Sequence, residues 1–134
     1  MLARGHDKEI AWRFDNYGYA VRRIRAADLD AAGGPEVLMA SATGYLYALD
    51  HEGTELWRDQ LGFAVNDVVV KSGGGMASEI IAASEDGLVR FYGADGTTLR
   101  DIVTPGSARL LCVHGRAAGA QVLVATSGGE VVSY

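Results

Sequence analysis

Apolar positions along the chain fall into short runs, separated by turns rich in glycine. Residues 68–70, 80–83 and 122–125 are typical of these runs. No segment has the i, i+3, i+4, i+7 spacing of an amphipathic helix. The run at 122–125 is apolar at every position, as expected for a strand that is buried on both faces. The pattern therefore predicts an all-β chain of short strands.

A β-hairpin pattern occurs three times at nearly constant spacing. Segment 35–41 aligns with segments 78–84 and 120–126, at offsets of 43 and 42 residues. A glycine (Gly44, Gly87 and Gly129) and a second apolar segment follow each copy. An apolar strand precedes each hairpin, and a short fourth strand follows the first two. Four short strands in about 43 residues is the period of a β-propeller blade. A solenoid of β-arches is the structural alternative, but the antiparallel hairpin turns favour blades.

The repeat predicts a single half-propeller domain over residues 1–134, with three blades of four antiparallel strands. We place blade one at 21–58, blade two at 65–101 and blade three at 109–134. Blade three lacks its outer strand, whereas residues 9–13 resemble residues 55–58 and precede the first inner strand. We therefore expect residues 9–13 to complete a last blade by strand exchange, which leaves no free edge there.

Three blades predict assembly, because known propellers have about 4 to 8 blades. A homodimer that forms a six-bladed ring is the preferred arrangement. The strand count, three full sets of four, leads us to expect a complete chain. The alternative is a fragment of a longer propeller, natural or engineered.

Two stretches resemble the repeats of known propeller families. Residues 48–57, Ala-Leu-Asp-His-Glu-Gly-Thr-Glu-Leu-Trp, resemble the Ala-x-Asp-x-x-Gly-x-x-x-Trp repeat of pyrroloquinoline-quinone-like (PQQ-like) propellers. In that family the tryptophan docks between neighbouring blades. Residues 27–37 are similar to the calcium loop of FG-GAP and VCBS repeats. The resemblances imply a propeller with blades like those of WD40 proteins. They leave the function open, because such families include lectins, adhesion modules, scaffolds and enzymes.

The second resemblance implies a candidate metal site. Asp28, Asp30 and Glu36 supply oxygen donors of the kind that calcium prefers. Ala32 removes a fourth donor, and segments 71–79 and 113–121 lack the acidic pair. The alternative is that the aspartates are turn residues that accept hydrogen bonds from backbone amides. We expect no quinone or other cofactor, apart from this calcium.

Propeller geometry indicates where a ligand would bind. The loops that join an outer strand to the next inner strand, and a second strand to a third, open together around the central channel; we call this side the loop face. Aromatic and arginine side chains there are typical anchors for a protein or small-molecule ligand. Tyr19 and Phe63 have an alternative role in packing between blades, and Arg22, Arg23 and Arg25 an alternative role in pairing with carboxylates. The candidate ligand-binding residues are Tyr17, Tyr19, Arg22, Phe63, Asp67 and Arg109.

Charge and composition exclude several partners. The net charge of -5, without a basic cluster, argues against nucleic acid. The apolar runs are far shorter than the roughly 20 residues of a membrane span, and the first residues lack the apolar core of a signal peptide. We therefore expect a cytoplasmic protein. Cys112, the single cysteine, aligns with Ile24 and Val68, which predicts a buried thiol.

No sequence motif supports catalysis. The chain has no phosphate-binding loop, no nucleophile elbow and no histidines at metal-ligand spacing. The sequence thus predicts a non-enzymatic binding or scaffold module that assembles with itself. A sugar-binding lectin, which needs one similar pocket per blade, is the first alternative. An enzyme with a channel active site is the second.

Overall fold

The computed structural model of this chain describes residues 9–29, 35–73, 76–115 and 120–134, and these residues form strands and no helix. The all-β prediction is confirmed. The strands are β1 (Val21–Ala27), β2 (Glu36–Ser41), β3 (Tyr45–Leu49), β4 (Glu55–Gln60), β5 (Val65–Gly73), β6 (Met76–Ser84), β7 (Leu88–Gly93), β8 (Thr98–Val103), β9 (Ala108–His114), β10 (Gln121–Thr126) and β11 (Val131–Ser133).

The strands form three separate antiparallel sheets in the order of the predicted blades. Strands β1 to β4 form blade one and β5 to β8 form blade two, each a four-stranded meander in chain order. Blade three contains β9, β10 and β11 and has three strands in the described part of the chain. The inner strand β5 contacts both β1 and β9, so blade two lies between the other two blades. This is the arrangement of adjacent propeller blades.

The hairpin turns explain the glycine spacing. Gly44 follows β2 with φ of 98°, and Gly87 follows β6 with φ of 96°. A positive φ is costly for residues with a Cβ atom, so glycine is the residue that fits these tight turns.

Two apolar layers hold the blades together. The first layer lies between blades one and two and includes Leu46 and Ala48 of β3. Tyr47 and Leu49 point to the other side of β3, where they belong to a separate buried group. Because both faces of the middle strands are covered, these strands read as continuous apolar runs. The second layer joins blades two and three through residues that include Val89, Phe91 and Val124.

The prediction for Cys112 is wrong, because this thiol is exposed. Cys112 pairs with Leu123 in blade three, as Val69 pairs with Ile81 in blade two. The loop between Gly106 and β9 is one residue shorter than the loop between Gly62 and β5, so an alignment on these glycines misplaces the inner strand of blade three by one residue. A shift of one residue turns a side chain to the other face of its strand. Leu111 therefore takes the buried place.

The segment before β1 lies against blade one. Trp12 and Phe14 pack on a buried group that contains Met39, Tyr47 and Leu49. Residues 9–13, which the structure describes, form no strand within the single chain. The edge strand β11 pairs with β10 and has no strand on its other side among the described residues. The segment thus lies against the face of blade one that points away from blade two, whereas β11 is an edge strand of blade three.

Candidate functional site

A buried carboxylate ties the three inner strands together. Asp67 on β5 is 1% exposed. Its Oδ2 accepts a hydrogen bond from the backbone N–H of Leu111 on β9 at 2.9 Å. Its Oδ1 lies 3.1 Å from Nε of Arg23 on β1. The pairing of the arginine cluster with a carboxylate, which the sequence offered as an alternative, is thus present. Asp67 holds the blades in place and is not accessible to a ligand.

A second polar chain crosses the loop face at the surface. Arg22 donates from Nη1 to Oδ1 of Asn66 at 2.7 Å, and Asn66 donates from Nδ2 to Oε2 of Glu85 at 2.7 Å. Nη2 of Arg109 lies 3.4 Å from Oε1 of Glu85. The structure therefore brings two predicted residues, Arg22 and Arg109, into one chain across all three blades. The pattern gave no signal for Glu85, which links them.

A cleft lies in front of blade one, on the same side of the molecule. It has a volume of about 360 Å³, within the range of small-molecule sites. We call it the tyrosine cleft. Its lining residues are Tyr17, Tyr19, Thr43, Tyr45, Tyr47 and Arg58.

Four elements position these side chains. Tyr17 and Tyr19 come from the loop before β1, Thr43 from the turn between β2 and β3, Tyr45 and Tyr47 from alternate positions of β3, and Arg58 from β4. Arg58 lies opposite Tyr47 in the sheet register. The guanidinium carbon of Arg58 lies 5.4 Å from the ring centre of Tyr45, in a cation–π contact. The cleft thus combines phenol rings with one guanidinium group.

The loop before β1 is held in a defined conformation. Tyr17 has φ of 55°, in the left-handed region that non-glycine residues rarely adopt. Asn16 is buried, and its Nδ2 donates to the carbonyl of Tyr19 at 3.0 Å and to Oγ of Ser41 at 2.8 Å. These bonds fix the loop to blade one. An unusual backbone conformation that surrounding contacts hold in place often marks a functional site.

The rings of the cleft differ in exposure. Tyr17 is 75% exposed and Tyr19 is 62% exposed. Tyr47 forms the floor, and burial raises the pKa of its hydroxyl while the positive charge of Arg58 opposes this. The Tyr47 hydroxyl therefore stays protonated at neutral pH. Packing between blades, the alternative role for Tyr19, does not describe so exposed a ring.

The remaining predicted residues lie apart from the cleft. Phe63 is exposed in the loop before β5. Oε1 of the buried Glu36 accepts a hydrogen bond from the backbone N–H of Leu29 at 2.7 Å. Asp30 lies outside the described residues, and Asp28 has an interaction of its own. Within the described ranges, no three histidine, cysteine or acidic side chains form a metal-binding group. The calcium site stays a prediction.

A tryptophan links blade one to blade two, as the PQQ-like resemblance implies. Trp57 stacks on Tyr92 with ring centres 5.5 Å apart, and its Nε1 donates to the carbonyl of Ala94 at 3.2 Å. The ring covers Gly96, where a Cβ atom would lie 2.6 Å from it. Trp12 covers Gly53 of blade one in the same way, at 2.5 Å from the position of a Cβ atom.

Charged groups complete the contact between blades one and two. Oδ2 of Asp59 accepts hydrogen bonds from the Tyr92 hydroxyl at 2.7 Å and from Nη1 of Arg90 at 3.0 Å. Arg90 also donates two hydrogen bonds to Asp101. Burial and the bond to Asp59 raise the pKa of Tyr92, and the bonds from Arg90 lower the pKa of Asp101. The single guanidinium of Arg90 thus binds two carboxylates within the interface.

Comparison with known protein families identifies the fold family. A family model described as the lambda-carrageenase beta-propeller domain matches residues 1–104. The chain belongs to this lambda-carrageenase propeller family. The prediction of a β-propeller repeat protein is confirmed, whereas the finer resemblances to PQQ-like and FG-GAP repeats stay predictions. No curated protein sequence matches the chain.

Solved structures share the same fold at low sequence identity. BBS1N, solved in complex with ARL6DN, has a TM-score of 0.69 and 14% identity over 85% of this chain and 36% of that chain. The computationally designed Ika4 protein has a TM-score of 0.62 and 16% identity over 74% of this chain and 59% of that one. BamB from Moraxella catarrhalis has a TM-score of 0.55 and 20% identity over 73% of this chain and 28% of that one. The chain therefore spans about a third of BBS1N.

The described residues include no helix that is long and apolar enough to cross a membrane.

Proposed function

We propose that this chain is a non-enzymatic propeller module that closes into a six-bladed ring with a second copy and presents its loop face to a ligand. The observation that carries the ring is the position of Trp12. Trp12 covers Gly53 as Trp57 covers Gly96. Trp12 thus lies where the outer strand of a preceding blade would place its tryptophan. No described strand of this chain pairs with the segment that contains Trp12.

The register of the complete blades indicates which strand would pair with this segment. In blade one Trp57 lies opposite Ala48, and in blade two the corresponding Arg100 lies opposite Phe91. The position of Phe91 corresponds to Ser133 in β11. In a ring of two copies, the outer edge of β11 would therefore pair with residues 12–14 of the other copy. The expected pairs are Ser133 with Trp12, Val132 with Arg13, and Val131 with Phe14.

Exposed apolar side chains at both outer faces support this closure. Ile10 is 64% exposed beside blade one, and Val131 is 69% exposed on blade three. Burial of apolar surface is the main driving force of association. A twofold arrangement would cover both faces at once, because each copy offers its segment to the β11 of the other copy.

The non-enzymatic part of the proposal rests on how the charged groups are used. The groups with strongly shifted pKa values, Arg90 and Tyr92, are engaged with Asp59 inside a blade interface. The family takes its name from an enzyme that acts on lambda-carrageenan. Incubation of this chain with lambda-carrageenan should release no reducing ends, and their release would contradict this part of the proposal.

Light scattering on a sizing column tests the ring. We expect a mass of twice 14.1 kDa that does not change with concentration. The variant Trp12→Ala should lose the anchor of the segment and shift towards one chain. A wild-type mass of one chain at all concentrations, or a mass that grows steadily with concentration, would contradict closure by two copies.

A second candidate is a three-blade part of a longer propeller. The coverage of only 36% of BBS1N and 28% of BamB favours it. In that case residues 12–14 would pair with a blade of the same longer chain. The single-chain mass in the experiment above is the result that this candidate predicts.

A further inference from the structure

Each inner strand has a β-bulge near its start, at the end of the central channel that opens on the loop face; we call this end the channel mouth. The bulge residues are Arg22, Asn66 and Arg109, since the residues on both sides of each have partners on the second strand of the blade. A bulge redirects a side chain, and bulges are frequent at barrel rims and beside functional sites. Each blade thus places one polar side chain at the same point of the mouth.

The bulge side chains reach towards the following blade. Arg22 of blade one donates from Nη1 to Oδ1 of Asn66 at 2.7 Å. Asn66 of blade two donates from Nδ2 to the carbonyl of Ala108 in blade three at 3.0 Å. In the proposed ring, the blade that follows blade three is blade one of the other copy. Arg109 of one copy would therefore lie beside Arg22 of the other copy.

One position decides whether such a junction contains a carboxylate. Ala42, Glu85 and Ser127 are equivalent, because the backbone N–H of each donates to the carbonyl of the residue that precedes the inner strand of its blade. Glu85 lies between Asn66 and Arg109, with its carboxylate oxygens at 2.7 Å and 3.4 Å from them. At the junction between copies, Ser127 takes the place of Glu85. Two guanidinium groups would meet there beside a hydroxyl group.

We infer that each junction between the two copies is a binding site for a small, doubly charged oxyanion such as phosphate, and that this ion favours closure of the ring. The inference deepens the proposed function and rests on it. Like charges that face each other across an interface oppose association. An oxyanion between Arg22 and Arg109 would neutralise both charges and accept charge-assisted hydrogen bonds from both. The Ser127 hydroxyl is a further donor.

Both arginines are held in place and keep donors for this ion. Within the described part of the chain, Arg22 has no ion pair, and its contact with Asn66 uses Nη1. Arg109 contacts Glu85 through Nη2, and its side chain is 53% exposed. A guanidinium group has five N–H donors and no acceptor, so most donors remain available. Because the existing contacts orient the side chains, binding costs less conformational entropy.

Sedimentation velocity on the full chain tests the inference, over a dilution series that extends below the concentrations used for light scattering. The two buffers contain phosphate or sodium chloride at the same ionic strength. With about 10 mM phosphate and a Kd of about 1 mM, each of two sites should tighten the dimer about tenfold, so its dissociation constant should fall about 100-fold.

Removal of one facing charge should abolish this response. In chloride, Arg109→Gln should form a dimer at least as tight as that of the wild type, because the repulsion is gone, and phosphate should not tighten it further. The matched control is Arg100→Gln. Arg100 is also 53% exposed and pairs with one glutamate, Glu79, but it lies on the outer strand of blade two. This variant should respond to phosphate like the wild type.

A carboxylate built into the junction should replace the ion. Ser127→Glu places an acidic group where blade two has Glu85, so in chloride it should give the tight dimer that the wild type forms in phosphate. Ser127→Gln, which adds no charge, should keep the wild-type response.

The outcomes separate this inference from the ring itself. A wild-type dimer that is equally tight in phosphate and chloride overturns the oxyanion site and leaves the ring. Equal behaviour of Arg109→Gln and Arg100→Gln, or of the two Ser127 variants, also overturns the site. A single chain at every concentration in both buffers overturns the ring, and the site with it.

Discussion

Blade one has two sides, and they differ in what covers them. On the side of blade two, Trp57 covers Gly96 and the charged group of Asp59, Arg90 and Tyr92 fills the outer part of the interface. On the other side, Trp12 covers Gly53 in the same way, but an aromatic group surrounds it, in which Phe14 contacts Tyr47 with ring centres 4.9 Å apart. The repeated tryptophan contact belongs to the architecture. The residues around this contact differ between the two sides. On the side of Trp12 they include Tyr45 and Tyr47, which also line the tyrosine cleft.

The largest expected difference between the two sides concerns the tryptophans. Trp57→Ala should lower the free energy of unfolding by about 3 kcal/mol, because it removes a large ring from between two complete blades. Trp12→Ala should have a smaller effect on unfolding, since its segment forms no strand within the chain, and should act mainly on assembly. Chemical denaturation measures the first effect. A loss below about 1 kcal/mol for Trp57→Ala would mean that the ring does not hold the blades together.

The glycines under the tryptophans should be sensitive for a steric reason. A Cβ atom at Gly96 would lie 2.6 Å from the Trp57 ring, whereas Gly62, which also has a positive φ, has no atom within 4 Å. Both alanine variants bear the cost of the left-handed conformation, about 1 kcal/mol. Gly96→Ala should lose a further 1 to 3 kcal/mol, roughly, from the clash. Equal losses for the two variants in urea denaturation would contradict the close tryptophan contact.

Removal of a hydroxyl should distinguish the charged side from the aromatic side. Tyr92→Phe should cost about 1.5 kcal/mol, because the Tyr92 hydroxyl donates to the Asp59 carboxylate. Tyr47→Phe should cost much less, because no described residue hydrogen-bonds to the Tyr47 hydroxyl. Denaturation of both variants under the same conditions gives the comparison. If Tyr47→Phe lost more free energy of unfolding than Tyr92→Phe, the hydrogen bond from Tyr92 to Asp59 would not be the stronger hydroxyl contact of the two sides.

The smallest effect concerns pH and the ion pair of Asp101. Two hydrogen bonds from Arg90 lower the pKa of Asp101 below its ordinary value of 3.8. The folded state thus favours the carboxylate form of Asp101. The resulting stabilisation is fully present above the ordinary pKa of 3.8 and is lost as the pH falls through the lower pKa of the folded state. The Asp101 side chain is 40% exposed, so we expect only about 0.5 kcal/mol. When the pH falls from 7 to 3, the free energy of unfolding of Asp101→Asn should therefore decrease by about 0.5 kcal/mol less than that of the wild type. Identical losses would show that the pair contributes nothing.

The fold was predictable because its signals are local. Gly44 and Gly87 mark hairpin turns that require a positive φ, and their spacing gives the blade period directly. Trp57 was predictable from its repeat. Cys112 was placed wrongly because the loop between Gly106 and β9 is one residue shorter than the loop before β5, so an alignment on the preceding glycines shifts the inner strand by one residue.

The candidate site was predictable only in part, because it is built from distant elements. Tyr17 and Tyr19 stand out as aromatic residues in a loop. Tyr45 and Arg58 look like ordinary strand residues, and only the folded sheet brings them beside that loop. Asp67 has the residue type of a ligand contact, but its burial between three inner strands gives it a structural role.

A register-specific disulfide tests closure by a second copy most directly. In a Cys112→Ser background, which removes the exposed native thiol, Arg13→Cys and Val132→Cys would face each other between two copies. We expect oxidation to give a covalent dimer on a non-reducing gel. The control pair Arg13→Cys and Val131→Cys, shifted by one residue, should give little of it, because neighbouring strand residues point to opposite faces. Absence of the dimer, or equal cross-linking by both pairs, would contradict strand exchange between two copies.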